Sequence, residues 1–434
     1  MTKAISKAST IQKMPGFNYI KHNFVVPLAY GKGLSQAGSE TINVFARELY
    51  LPEYQDSREN LPFLVFFQGG PGFESPRPLA LDGWIKRALQ EYRVLLLDQR
   101  GVGNSSAISL EGLMKLSDYK ERTAYLSNFR ADSIVKDSEM IRRALIGDSK
   151  WTTLGQSFGG FITTTYLSYF PEGLEKCFIT GGLPPLASNP DEVYRALYPR
   201  VIEKNALYRE LFPEDHTVVK AIVQHLLNHK EELSTGEILS ARRFLGAGLN
   251  FGYKSGGFDS LHYLLERAFE GDRLSYYFKR NFENLLTFNT NIIYAILHEA
   301  IYCQGEASNW SAERLLPEFP QFDLASSQPL FTGEMIYRFM FDEYACLKPL
   351  KDTAQALAEK SDWPNLYDRE ALQRNQVPVA ACLYYDDMYV DRALSLACAA
   401  TISGAKTWIT NEYEHDGLRR DGENILNKLI TMVK

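Results

Sequence analysis

No stretch of the 434-residue chain is apolar for long enough to span a bilayer. Met1–Lys13 is polar and has no apolar core of signal-peptide length, so the cytoplasm is the expected location. The five cysteines, Cys177, Cys303, Cys346, Cys382 and Cys398, are odd in number, scattered and without CxxC spacing. That pattern argues against a disulfide or zinc framework and for buried free thiols in a reducing compartment. Metal-binding spacing is also missing. Of the seven histidines, His225 and His229 stand four apart on a predicted helix, but no third ligand or HExxH pattern accompanies them, so no metal is expected. There is no dense Lys/Arg run, and the net charge is −6, which argues against a nucleic-acid surface. Internal repeats and low-complexity segments are absent.

What is there is a chain of ordinary globular composition, rich in aromatics at 25 Tyr and 25 Phe. Such residues often line pockets for small organic substrates. Three regions separate. Residues 1–183 alternate strands and helices. Thr41–Leu51 reads as a strand, Leu61–Phe67 and Val94–Leu97 as buried central strands, and Cys177–Thr180 as a further short one. Ile134, Ser138, Ile141 and Leu145 share a helical face, with Asp132 or Ser133 as the expected cap. Residues 184–374 are helical in period, with long segments at Val218–Leu233 and Asn289–Tyr302. Residues 375–434 return to the first pattern: strands at Val377–Tyr385 and Lys406–Thr410, helices at Arg392–Ala400 and Gly422–Met432. The prediction is a mostly parallel α/β sheet interrupted by a mostly helical cap and then completed.

Chemistry concentrates at Gly155-Gln156-Ser157-Phe158-Gly159-Gly160, which fits Gly-x-Ser-x-Gly. A short buried strand, Trp151–Leu154, precedes it and an apolar helix, from Phe161 to Tyr169, follows. Strand, tight turn and helix are the context of a nucleophile elbow. A serine hydroxyl needs a base, and the base an orienting carboxylate, in the chain order Ser, Asp or Glu, His. His415, in Tyr413-Glu414-His415-Asp416-Gly417, is the only histidine after His298 and is the expected base. The carboxylate should follow the preceding strand, where Asp386 and Asp387 are adjacent; Asp387 is preferred and Asp386 is the alternative. An oxyanion needs backbone donors, expected from the Phe158 amide and from Gly70 in Gln68-Gly69-Gly70-Pro71-Gly72. The Asp98–Ser105 segment carries charges expected to hold loops in place.

Together, Gly-Gly-Pro-Gly after one strand, Asp-Gln-Arg-Gly-x-Gly-x-Ser after the next, and the elbow beyond resemble the proline iminopeptidases. The likeness covers the whole chain and is nearest the longer subgroup with a large cap. It implies an α/β-hydrolase fold, a serine exopeptidase that removes N-terminal proline from small peptides, and no cofactor. Glu299 and Glu334, each among apolar neighbours, resemble the cap glutamates that hold the substrate amine in the family. Gln68 stands where many members have His, and Phe158 where they have Trp; only the Phe158 amide is required by the mechanism. An esterase or lactonase on the same scaffold is the alternative, since triad and oxyanion hole would be the same.

Overall fold

The computed structural model describes residues 5–8, 10–253, 256–285 and 288–434; the first four residues and Ser9 of the Met1–Lys13 segment lie outside them. Its frame is a 10-stranded sheet. An antiparallel flank is built from β1 (Ile5–Ala8), β2 (Gln12–Met14), β3 (Phe17–Pro27) and β4 (Thr41–Tyr50). β4 hands over to β6 (Arg93–Asp98), again antiparallel. From there β6, β5 (Phe63–Phe67), β7 (Trp151–Gln156), β8 (Leu174–Thr180), β13 (Val379–Tyr384) and β14 (Lys406–Thr410) run parallel.

Strand periodicity explains the two-sided core. Phe63, Val65 and Phe67 of β5 pack on one face, and Leu64 and Phe66 on the other. The first face is covered by helices Ala131–Ile146 and Phe158–Tyr169, through Ile134, Ile141, Phe161 and Tyr166. The second is covered by helices Gly83–Ala88 and Gly422–Met432, through Trp84, Ile85, Ile425 and Leu429. A sheet covered on both faces accounts for strands that read as continuous apolar runs.

Between β8 and β13 helices dominate, the longest being Asp191–Leu211. Strand structure there is confined, among the described residues, to two hairpins: β9 (Glu231–Glu232) with β10 (Ile238–Leu239), and β11 (Phe269–Glu270) with β12 (Arg273–Leu274). Three sequence expectations are corrected. Val218–Leu233 forms a helix over Asp215–Asn228 that stops at His229 and turns into β9. Asn289–Tyr302 is not one helix but a short one, Ile292–Ile296, and a 3-10 turn, Glu299–Tyr302. Every side chain from Ile292 to Tyr302 is buried, so packing on all sides overrides helical propensity. The third concerns Ala131–Ile146, whose cap position is Arg130, not Asp132 or Ser133. Asp132 instead sits in the first turn, where its charge suits the helix dipole. Arg130 sends its guanidinium to the carbonyls of Ala300, Cys303 and Pro364, tying the helical segment to the sheet domain.

The charged Asp98–Ser105 segment does hold loops. Asp98 is fully buried and takes Arg77, the Ser75 amide and the Asn104 amide. Arg100 is equally buried against Asp137, with Nε 2.7 Å from Oδ2.

Candidate active site

The carboxyl ends of β5, β7, β8, β13 and β14 converge, as ligand sites of open parallel sheets do. At the end of β7, Ser157 has φ 56 and ψ −125, a region that non-glycine residues rarely adopt. Strain of this kind costs about 1–3 kcal/mol and persists only where the surroundings enforce it. They do so here by crowding. A Cβ on Gly159 would lie 1.9 Å from the Phe67 carbonyl oxygen, and one on Gly155 would lie 2.3 Å from that of Gly159. The Ser157 amide donates to the Thr180 carbonyl at 3.0 Å, which ties the elbow to the end of β8. Ser157 thus stands at the N-terminus of the Phe158–Tyr169 helix, where the first amides have no partner within the helix.

Beyond β13, Asp387 is buried and Asp386 exposed. Asp387 Oδ2 is 2.7 Å from His415 Nδ1, and Oδ1 accepts from the amides of Tyr389 and Val390 at 2.9 and 3.0 Å. Both oxygens are therefore oriented. The His415 amide donates to the Gly252 carbonyl at 3.2 Å, and the Tyr389 ring lies 4.8 Å from the imidazole. Burial works against a charged His415, but the Asp387 carboxylate more than offsets it and raises the ring's pKa.

The loop after β5 reaches the same place. A Cβ on Gly69 would lie 2.8 Å from Ser157 Cβ, so only a glycine lets this backbone approach the elbow so closely. Gly70 follows at φ 135, and the Gln68 carbonyl is held by Gln99 Nε2 at 2.9 Å.

The two cap glutamates are placed differently. Glu334 is half-buried, and Tyr294 donates its hydroxyl to Glu334 Oε1 at 2.7 Å. Burial lifts its carboxyl to about 7, while the Tyr294 hydrogen bond and the charge of nearby His415 pull the other way. Glu299 is more enclosed. Its Oε2 accepts from the Ser311 amide at 3.1 Å and its Oε1 from the Ala312 amide at 2.9 Å. Burial raises the Glu299 carboxyl against the pull of these amides. Glu299 thus caps the Ser311–Leu315 helix, while Glu334 lies within electrostatic reach of the His415–Asp387 pair.

Sequence reasoning missed Gly181-Gly182 and Tyr294. A Cβ on Gly182 would lie 2.3 Å from the Ser157 carbonyl oxygen, and one on Gly181 would lie 3.2 Å from His415 Nδ1. The pair packs against both Ser157 and His415. A legible signal exists, because Gly181-Gly182 follows a strand as Gly69-Gly70 follows β5. Tyr294 had none, being one of 25 tyrosines. Volume is no guide to this site: a cap cavity of about 660 Å³, lined by Trp310, Phe322 and Tyr337 among others, includes none of these groups.

Sheet order, elbow and the His–Asp pair define the α/β-hydrolase class, and residues 62–253 match the family described as alpha/beta hydrolase fold. The chain is 47% identical over 420 residues to the proline iminopeptidase of Aeromonas sobria, covering 96% of this chain and 97% of that protein. It is 35% identical over 421 residues to the proline iminopeptidase aneH of Aspergillus aculeatus, covering 94% and 92%. This chain belongs to the proline iminopeptidase family. Among solved structures it is similar to a hydrolase from Pseudomonas aeruginosa PA01, at TM-score 0.42 and 15% identity, covering 92% of this chain and 99% of that one.

Proposed function

We propose that the protein is a serine exopeptidase that releases N-terminal proline from small peptides. The observation that carries the reading is Glu334: a half-buried acid beside the His415–Asp387 pair, in a chain closely similar to proline iminopeptidases. An undercompensated carboxylate in such a place is costly unless a cation arrives to pair with it, and a protonated prolyl amine is such a cation. An esterase for neutral acyl groups has no use for it.

In the proposed mechanism His415 Nε2 takes the proton of Ser157 Oγ as the oxygen attacks the prolyl carbonyl. Asp387 holds the ring by Nδ1 and stabilises the imidazolium. The amides of Phe158 and Gly70 receive the oxyanion. His415 then protonates the departing amine. Water, activated by the same ring, hydrolyses the prolyl-enzyme and frees Ser157. Glu334 binds the substrate amine. Glu299, the second expected amine ligand, has both oxygens engaged by helix amides and in this reading holds the Ser311–Leu315 helix in place of the amine. The site residues in these roles require no metal or organic cofactor. The cytoplasm is the proposed location, supported by five cysteines that are all free. No described helix is long and apolar enough to cross a membrane.

Turnover of prolyl-β-naphthylamide, its N-acetylated form and a short acyl ester tests the reading, with Ser157→Ala as control. Fast release from the free amine alone, abolished in the variant, is expected. Strong ester turnover without prolyl activity would refute it.

A further inference from the structure

The helical segment that carries Tyr294 touches both halves of the site. Through its hydroxyl, Tyr294 holds Glu334 Oε1 at 2.7 Å. Through its backbone it lies on the loop that follows β5: a Cβ on Gly72 would come within 2.8 Å of Tyr294 N and within 2.8 Å of Ile293 Cβ. Two further contacts fix that side. Asn291 Nδ2 donates to the Gly72 carbonyl at 3.0 Å, and the Phe73 and Tyr294 rings meet edge-on at 5.3 Å. The other side is fixed by His298, whose ring lies 5.1 Å from that of Tyr294 and hydrogen-bonds the Glu334 backbone. Asn291 is the N-cap residue of its helix but makes no capping bond: its Oδ1 accepts from Thr290 Oγ1 at 2.8 Å, and its Nδ2 is the atom that reaches Gly72.

From this arrangement we infer that Tyr294 is a positioning residue that couples an occupied amine subsite at Glu334 to alignment of the Gly70–Gly72 oxyanion loop. The inference rests on the proposed amine-binding role of Glu334. Binding energy from a part of the substrate that does not react accelerates the chemical step only when it is realised in the transition state. A rigid link from amine subsite to oxyanion loop is a way to achieve that. The consequence is specificity expressed in kcat: an acyl group without a free amine reaches Ser157 but finds the loop less well held.

The test is steady-state kinetics of Tyr294→Phe and Asn291→Ala on prolyl-β-naphthylamide and on p-nitrophenyl acetate, with Glu334→Gln and the Tyr294→Phe/Glu334→Gln double variant alongside. Tyr294→Phe removes one hydroxyl that donates to a carboxylate, and such a bond is worth about a tenfold effect. On the prolyl substrate we expect kcat to fall by about that factor with KM changed less than about twofold. Loss on the ester should be several times smaller, and Asn291→Ala should show the same split. Adding Tyr294→Phe to Glu334→Gln should cost little more than Glu334→Gln alone. A rise in KM with kcat intact, equal losses on both substrates, no effect of Tyr294→Phe, or additive losses in the double variant would each overturn the coupling. If Glu334→Gln keeps full prolyl turnover, the amine subsite itself is wrong and the coupling falls with it. An impaired Glu334→Gln beside an unimpaired Tyr294→Phe would overturn the coupling alone.

Discussion

The sheet acid Asp387 and the cap acid Glu334 are held in opposite ways. At the sheet, Asp387 is saturated: two amides hold one oxygen and His415 the other. In the cap, the Tyr294 hydroxyl meets Oε1 of Glu334, and the carboxyl is pushed up to about 7. Glu299, also in the cap, resembles Asp387 in that amides engage both of its oxygens. The difference separates two uses of a buried carboxylate. One whose hydrogen bonds are complete within the protein orients a neighbour. One left short of partners is poised for a ligand that brings the missing charge.

The largest expected effect breaks the sheet half. Asp387→Asn should lower kcat about 10⁴-fold by fixing the wrong imidazole tautomer, whereas the neighbouring Asp386→Asn, on an exposed side chain, should change it less than about twofold. Equal effects would remove the distinction between the two aspartates.

Next in size is a contrast of the two cap acids by thermal unfolding. The folded-state pKa of Glu334 is raised above its ordinary 4.5. Its contribution to stability is therefore full below about 4.5 and lost as pH rises through about 7. Glu334→Gln should then stabilise the protein at pH 8, by no more than about 3 kcal/mol, and have little effect at pH 4. The Glu299 carboxyl is raised as well, so Glu299→Gln also loses a buried charge at pH 8, but it gives up an acceptor of two helix amides, and its melting temperature at pH 8 should lie below that of Glu334→Gln. Matching shifts for both variants would erase the contrast.

The smallest effect is a change in slope. In the proposed mechanism prolyl turnover needs His415 neutral and Glu334 ionised, and both groups are raised. The acid limb of kcat/KM for the prolyl substrate should approach two protons per pH unit once the pH lies below both groups, Glu334 standing at about 7. For an ester it should follow one proton, from His415.

Much of the sheet half was legible because local rules make it so. Gly155 and Gly159 are required by the crowding of one turn, Ser157 stands between them, and the chain order of Asp387 and His415 left few candidates. The parallel strands were readable as apolar runs, since both faces are covered. β1, β2 and β3 were not read, because an antiparallel flank with partly exposed strands carries a weaker pattern. The cap was legible only as helical. Asn289–Tyr302 has helical periodicity, but burial on every side decided its break, and that is a tertiary fact. For the same reason Glu299 and Glu334 looked alike in sequence: each is an acid among apolar neighbours, and only the fold brings the Ser311 and Ala312 amides to one and Tyr294 to the other.

The central claim is that Glu334 recognises a free prolyl amine. Its most direct test is the ratio of kcat/KM for prolyl-β-naphthylamide to that for the N-acetylated compound, in the wild type and in Glu334→Gln. The account predicts a large ratio in the wild type that falls by about a hundredfold or more in the variant, with ester turnover largely retained. An unchanged ratio in Glu334→Gln would contradict it.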